Sequence, residues 1–125
     1  METDGYTLEF RVEQDVMHAR VAGTYPTAHV HREGNRFQPL VEVCEQSGCQ
    51  KAVIDARDLQ VNFDTMALFR AGVDAASVTR QGLRIAIVAR EEIIDSFFLD
   101  VVVNRGARVE VFTAMQDAVA WVSGS

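Results

Sequence analysis

Two short stretches, Ala52-Val53-Ile54 and Ile85 to Ala89, are apolar without interruption. A strand points successive side chains to opposite faces, so an unbroken apolar run makes sense only if both faces are buried. Sheets covered on both sides are mostly parallel, and parallel neighbours need a crossover of a dozen or more residues, usually a helix. These two runs therefore commit the chain to an α/β architecture, provided that helical segments lie between the strands.

Such segments are present. From Thr27 to Ser47, the residues Val30, Phe37, Leu40, Val41 and Cys44 suit one helix face, with Gly48 as the stop. Gly34 and Pro39 interrupt this stretch. Proline costs about 3 kcal/mol inside a helix and little in its first turn, so the regular helix is expected to begin near Phe37. Asp64 suits the N-cap of a helix carrying Met66, Phe69, Val73 and Ala76 inward and closed by Gly82. Ile94, Phe97, Phe98, Val101 and Val102 form a third stripe, ended by Gly106. Val109 to Phe112 reads as the last strand, and Thr113 with Gln116 as a capping box before a helix presenting Ala118, Trp121 and Val122.

The N-terminus follows another rule. Tyr6, Leu8, Phe10 and Val12 alternate with polar residues, as do Met17, Ala19 and Val21 after a turn at Gln14-Asp15, which predicts an antiparallel hairpin. The expected order is ββαβαβαβα: a mostly parallel sheet with an N-terminal antiparallel hairpin and helices mainly on one face. At 125 residues this is one domain, residues 1–125, with only the ends METDG and SGS expected to lack order.

Charge narrows the function. Twelve Lys plus Arg against eighteen Asp plus Glu give a net charge of -6, which repels phosphate backbones and anionic headgroups, so nucleic acid is not an expected partner. No stretch reads as an export signal or a membrane span, and the expected location is the cytoplasm. Cys44 and Cys49 match neither a CxxC redox pair nor a common zinc knuckle, and are expected to be reduced. With His18, His29 and His31 scattered, no metal and no cofactor is expected. Neither a GxSxG elbow, a GxxxxGK[ST] loop nor a GxGxxG turn is present, so the chain is read as non-catalytic.

Ligands of open parallel sheets meet the carboxyl ends of the strands. Those ends are Gly23 to Pro26, Asp55 to Asp58, Ala89 to Glu92 and Thr113. The candidate contacts for a protein partner are Tyr25, Asp55, Arg57, Asp58, Asp64 and Thr65. Each also has a purely structural explanation. Asp55 would satisfy loop amides, Asp58 would pair with Arg57 or Arg90, and Asp64 would cap its helix, a contribution of about 1 kcal/mol.

The segments RVAGTYP, GCQKAVIDARDLQVNFD, RIAIVA, NRGARVEVF and DAVAWV, spread over nearly the whole chain, resemble the STAS superfamily of sulphate-transporter and anti-sigma-factor-antagonist domains, in particular its SpoIIAA-like branch. The resemblance implies a regulatory module that binds other proteins, in which a serine at a helix start after the third strand is phosphorylated. Here that run is Asp64-Thr65-Met66-Ala67, with Met66 at the acceptor place and Thr65 one position earlier. The same branch is similar in fold to the CRAL-TRIO lipid carriers. That likeness implies an alternative, a carrier or sensor of a small apolar, lipid-like molecule held by Phe97, Phe98, Val101 and Val102. Apolar residues beyond a single stripe, near Phe98 and Val103, also make a homodimer a candidate.

Overall fold

In the computed structural model, Gln14 and Asp15 take φ of 51° and 66°. Left-handed backbone at both central positions gives the tight turn whose twist matches that of two flanking strands. It joins β2 (Tyr6–Glu13) to β3 (Val16–Thr24) in register from Glu13↔Val16 to Tyr6↔Gly23. The structure describes residues 2–3, 5–24, 37–60, 74, 77, 82–90 and 108–124. Within them lie the hairpin, β1 (Glu2–Thr3), α1 (Gln38–Ser47), β4 (Lys51–Gln60), β5 (Arg84–Val88), β6 (Val109–Phe112) and α2 (Met115–Ser123). Asp74 and Ser77, from the stretch expected to form the helix after Asp64, are helical; the expected third helix lies outside the described residues.

The sheet has six strands in the order β1-β2-β3-β4-β5-β6. The first three are antiparallel neighbours, and β3 through β6 run parallel. Strand β1 is a difference from expectation: Glu2 and Thr3 of the supposedly ragged end pair with Thr7 and Tyr6. The reversal passes through Gly5, at φ 100°.

Pro39 falls in the first turn of α1, where its missing N–H costs nothing, and the helix starts at Gln38 as the interruption by Gly34 and Pro39 implied. Gly48 ends it in the left-handed conformation, φ 72°.

The unbroken apolar runs are explained by two cores. On one face, Leu40, Val41 and Cys44 of α1 cover Met17, Ala19, Ala52, Ile54, Ile85 and Val109. On the other, Ala118 and Val122 of α2 cover Val16, Val53, Ala86 and Val88. Thus Ala52 and Ile54 serve one core while Val53, between them, serves the other. The two described helices divide between the faces instead of sharing one. A right-handed crossover dictates the face of a helix that must deliver the chain to a parallel neighbour, but α2 follows the last strand and is under no such constraint.

The capping box expected before α2 is not formed. Ala114 takes the N-cap geometry, with no side-chain cap hydrogen bond, which leaves Thr113 one residue too early. The other end is better served: Arg84 donates from Nη2 to the Trp121 carbonyl at 2.9 Å and lies 3.9 Å from the centre of the Trp121 ring, and Lys51 Nζ reaches the Ser123 carbonyl at 3.5 Å. Cations at a helix carboxyl end are favoured by both the unpaired carbonyls and the helix dipole.

Candidate functional site

The stretch Val53 to Asp58 does not leave the sheet where its charges begin. Strand β4 continues to Gln60, so Asp55, Arg57 and Asp58 are strand residues and not the loop residues that their charges led us to expect. The extended backbone is held by β3, which pairs with β4 as far as Thr24↔Gln60. On the other flank, β5 follows β4 only to Asp55↔Val88. Beyond that point Arg90 Nη2 donates to the Leu59 carbonyl at 3.2 Å, supplying a contact where the ladder has ended.

Register changes at this point. Arg20 faces Asp55, but Ala22 faces Asp58, so two steps along β3 match three along β4. The extra residue makes a bulge in β4, a device that re-aims side chains at strand ends. Asp55 holds it. Its Oδ1 accepts the Arg57 backbone N–H at 3.2 Å and Arg57 Nε at 2.9 Å, and its Oδ2 accepts Arg57 Nη2 at 2.9 Å. Asp58 Oδ2 accepts Arg20 Nη2 at 2.6 Å.

The electrostatics follow from these contacts. The Arg57 guanidinium, bonded to both oxygens, holds the Asp55 carboxyl below its usual range; burial opposes this, and the Arg57 amide and the charge of Arg20 add to it. Arg57 and Arg20 are correspondingly raised, each by its hydrogen-bonded carboxylate first. Asp55 therefore stays ionised at neutral pH, which suits an anchor better than a general acid. The Asp55 side chain is 14% exposed and that of Arg57 43%, so the pair shows outward mainly a cation, whereas Arg20 and Asp58 show both signs.

A pH test follows. Asp55→Asn is expected to cost about 1 kcal/mol near neutrality, a modest figure because Arg57 is half in water. A lowered carboxylate adds stability that is complete above its unfolded value and is lost as pH falls through the folded one. The deficit of the variant, from urea unfolding, should be constant from about pH 8 to 5 and shrink below about pH 4.

The same side of the hairpin is polar. Glu9, Arg11 and Glu13 lie opposite Arg20, His18 and Val16. Arg11 pairs with Glu13 at 3.0 Å. His18 is lowered, first by burial and then by Arg11, with Glu13 opposing, so it is neutral at physiological pH.

Of the six expected polar contacts, Asp55, Arg57 and Asp58 come together on β4, while Tyr25, Asp64 and Thr65 lie outside the described residues. So do Phe97, Phe98, Val101 and Val102. Arg20 was missed by sequence reasoning and Arg90 was assigned a different partner. Arg20 sits 38 positions from Asp58, and only the parallel register of β3 on β4 would have revealed it. The structural explanation of Asp55 is realised in part, since it accepts a backbone amide. Asp58 pairs with Arg20 instead of Arg57 or Arg90.

At the opposite, amino end of the strands, Cys44 and Cys49 are buried free thiols. With Val41, Glu45, Gly48, Gln50, Gly82 and Leu83 they line a cavity of about 250 Å³. Burial, with Cys49 adding, pushes the Cys44 thiol up to about 11, which keeps it protonated and unreactive. Among the described residues, no group of three or more His, Cys, Asp and Glu could hold a metal ion, and no helix is long and apolar enough to cross a membrane.

No protein-family model and no curated protein matches the chain. Solved structures do. An uncharacterized protein of the DUF3478 family with a SpoIIAA-like fold, from Shewanella loihica PV-4, is 19% identical over 98% of both chains, with a TM-score of 0.54. An anti-sigma factor antagonist from Mycobacterium paratuberculosis is 13% identical over 94% of both chains, with a TM-score of 0.61. The fold is SpoIIAA-like. At these identities the likeness is one of architecture, and it agrees with the STAS-like order expected from the segments around β3, β4 and β5. In this SpoIIAA-like domain the described rim consists of Arg20, Asp55, Arg57, Asp58 and Arg90.

Proposed function

We propose that the chain is a non-catalytic regulatory domain of the cytoplasm that binds a protein partner through the rim at the carboxyl ends of β3 and β4. The observation that carries this reading is the bulge itself. A strand segment locked by the Asp55–Arg57 fork presents half-exposed charges of both signs, Arg57, Arg20 and Asp58, in fixed positions. Pre-positioned charges of mixed sign select a partner by complementarity and penalise wrong ones. The similar protein from Mycobacterium paratuberculosis is called an anti-sigma factor antagonist, which supports a protein-directed role here. Tyr25, Asp64 and Thr65 complete the proposed surface.

The test inverts the field while keeping the pair. In the double variant Arg20→Glu with Asp58→Lys, the ion pair survives with reversed polarity. The protein is expected to remain folded with a lowered thermal midpoint, because Arg20→Glu sets a carboxylate against Glu9 and Asp55 while the exposed pair itself contributes little. Partners recovered with the wild-type protein from its own cell extract should be lost. Undiminished recovery of the same partners by the folded double variant would refute the rim as the docking site.

A further inference from the structure

Helix α1 ends in a tight cap. The Cys49 N–H donates to the Cys44 carbonyl at 3.0 Å and the Gly48 N–H to the Glu45 carbonyl at 3.4 Å, across a left-handed Gly48. These two hydrogen bonds are those of a Schellman cap, which brings the side chains of its first and last residues together. Here both of those residues are cysteines. By standard bond lengths the 3.0 Å bond keeps their Cα atoms within about 7 Å, the limit for a direct S–S bridge. Both thiols line the cavity of about 250 Å³, and the charge of Cys49 acts on Cys44. Gly48 and Gly82 belong to the same lining, and a Cβ built on either would meet nothing within 4 Å, which leaves room beside both.

We propose that Cys44 and Cys49 form a dithiol site for a neutral trivalent arsenic hydroxide, arsenite or a monosubstituted arsenical, bridged by both sulfurs inside the cavity. Sulfur selects soft partners, and the charge left in the core decides among them. A soft metal cation needs two thiolates, and oxidation to a disulfide begins with one. Burial opposes both, since it pushes the Cys44 thiol up to about 11. Arsenic hydroxide needs no thiolate. As each S–As bond forms, the thiol proton passes to a hydroxide on arsenic, which leaves as water. Two S–H and two As–O bonds break, two S–As and two O–H bonds form, and the arsenic stays trivalent. Reactants and products are neutral, so no charge is stranded beside Val41 and Leu83. The protonation that makes Cys44 a poor nucleophile therefore does not block this exchange. With both sulfurs on one cap, the second S–As bond closes within the chain and gains from a high effective concentration. The cavity lies at the opposite end of the strands from the charged rim, so this site stands or falls independently of the partner proposed there.

The test adds arsenite to the reduced full chain and reads the intact mass under native conditions. One arsenic per chain is expected, with two waters lost. The bridge should survive millimolar glutathione, a monothiol, and be removed by dithiothreitol, which offers two thiols of its own. Arsenite should also raise the thermal midpoint by about 5 °C or more at about a hundredfold excess over its dissociation constant, as a ligand of the folded state does. This second readout matters because an unfolded chain also carries both thiols, and preferential binding there would lower the midpoint. Cys44→Ala and Cys49→Ala should each weaken binding by about a hundredfold or more, and their residual adduct should yield to glutathione. Circular dichroism accompanies each variant, with Cys44→Ser and Cys49→Ser as replacements for one that fails to fold. A wild type that takes up no arsenic, an adduct that glutathione strips, a midpoint that falls or stays fixed, or undiminished binding by a folded single-cysteine variant would overturn the proposal. The first three outcomes are read on the wild type alone.

Discussion

Ile85→Ala is expected to lower the unfolding free energy by about 2–5 kcal/mol, the range for truncating a fully buried aliphatic side chain. Ile85 is 0% exposed and lies on β5 between Ala52 of β4 and Val109 of β6, under α1. The loss has two parts, the transfer of the missing methyl groups and the cavity left because strands fixed on both sides cannot close over it. Ile85→Val, which removes one methylene, should cost about 0.5–1.5 kcal/mol. Urea unfolding with a common slope for wild type and both variants would measure the series. A loss below about 1 kcal/mol for Ile85→Ala would contradict a close-packed core at this position.

Gly23→Ala should cost about 2–4 kcal/mol, from backbone strain and overpacking together. Gly23 has φ 108°, which side-chain-bearing residues rarely adopt, and a Cβ built there would lie 2.5 Å from the Gly5 carbonyl oxygen and 2.9 Å from the Tyr6 Cα. Both obstacles are backbone, so no rotamer change relieves them. The strands would have to part, at the expense of the Thr24 N–H to Gly5 carbonyl bond. Gly23 also pairs with Leu59 in the outer part of β4, so the displacement should reach the rim. The expected result is a lower thermal midpoint together with weaker partner recovery, whereas Ile85→Ala should affect the first without the second while the protein remains folded.

These two positions show what was legible in the sequence. The apolar runs around Val53 and Ile85 announced strands covered on both faces, and both cores are found there. The alternation from Tyr6 to Val21 announced the hairpin, because a period of two is a local property. The length of β4 was not legible. Asp55, Arg57 and Asp58 have poor strand character, and their extended conformation depends on β3 alongside and on the Asp55–Arg57 fork, contacts that override propensity. Arg20 escaped for a related reason: it reads as a polar position in a hairpin until the parallel register places it beside Asp55. The Thr113 capping box failed by a single residue, within the usual uncertainty of helix ends. The side on which the last helix packs is not encoded by periodicity at all, since an amphipathic stripe specifies that a face is buried but not against which layer.

The overhang of β4 past β5 has an evolutionary consequence. Up to Ile54 the strand is flanked on both sides and buried on both faces, so most replacements there would be eliminated for lack of a folded product. After Asp55 it has only β3 as a ladder neighbour among the described strands, and Arg57, Asp58 and Gln60 are exposed. Apart from Arg57, whose fork with Asp55 holds the bulge, surface replacements of that kind usually shift stability by less than about 0.5 kcal/mol. One continuous segment thus joins a constrained spine to an adjustable end, and descendants of this domain could remake that surface by changing two or three letters without renegotiating the architecture behind them.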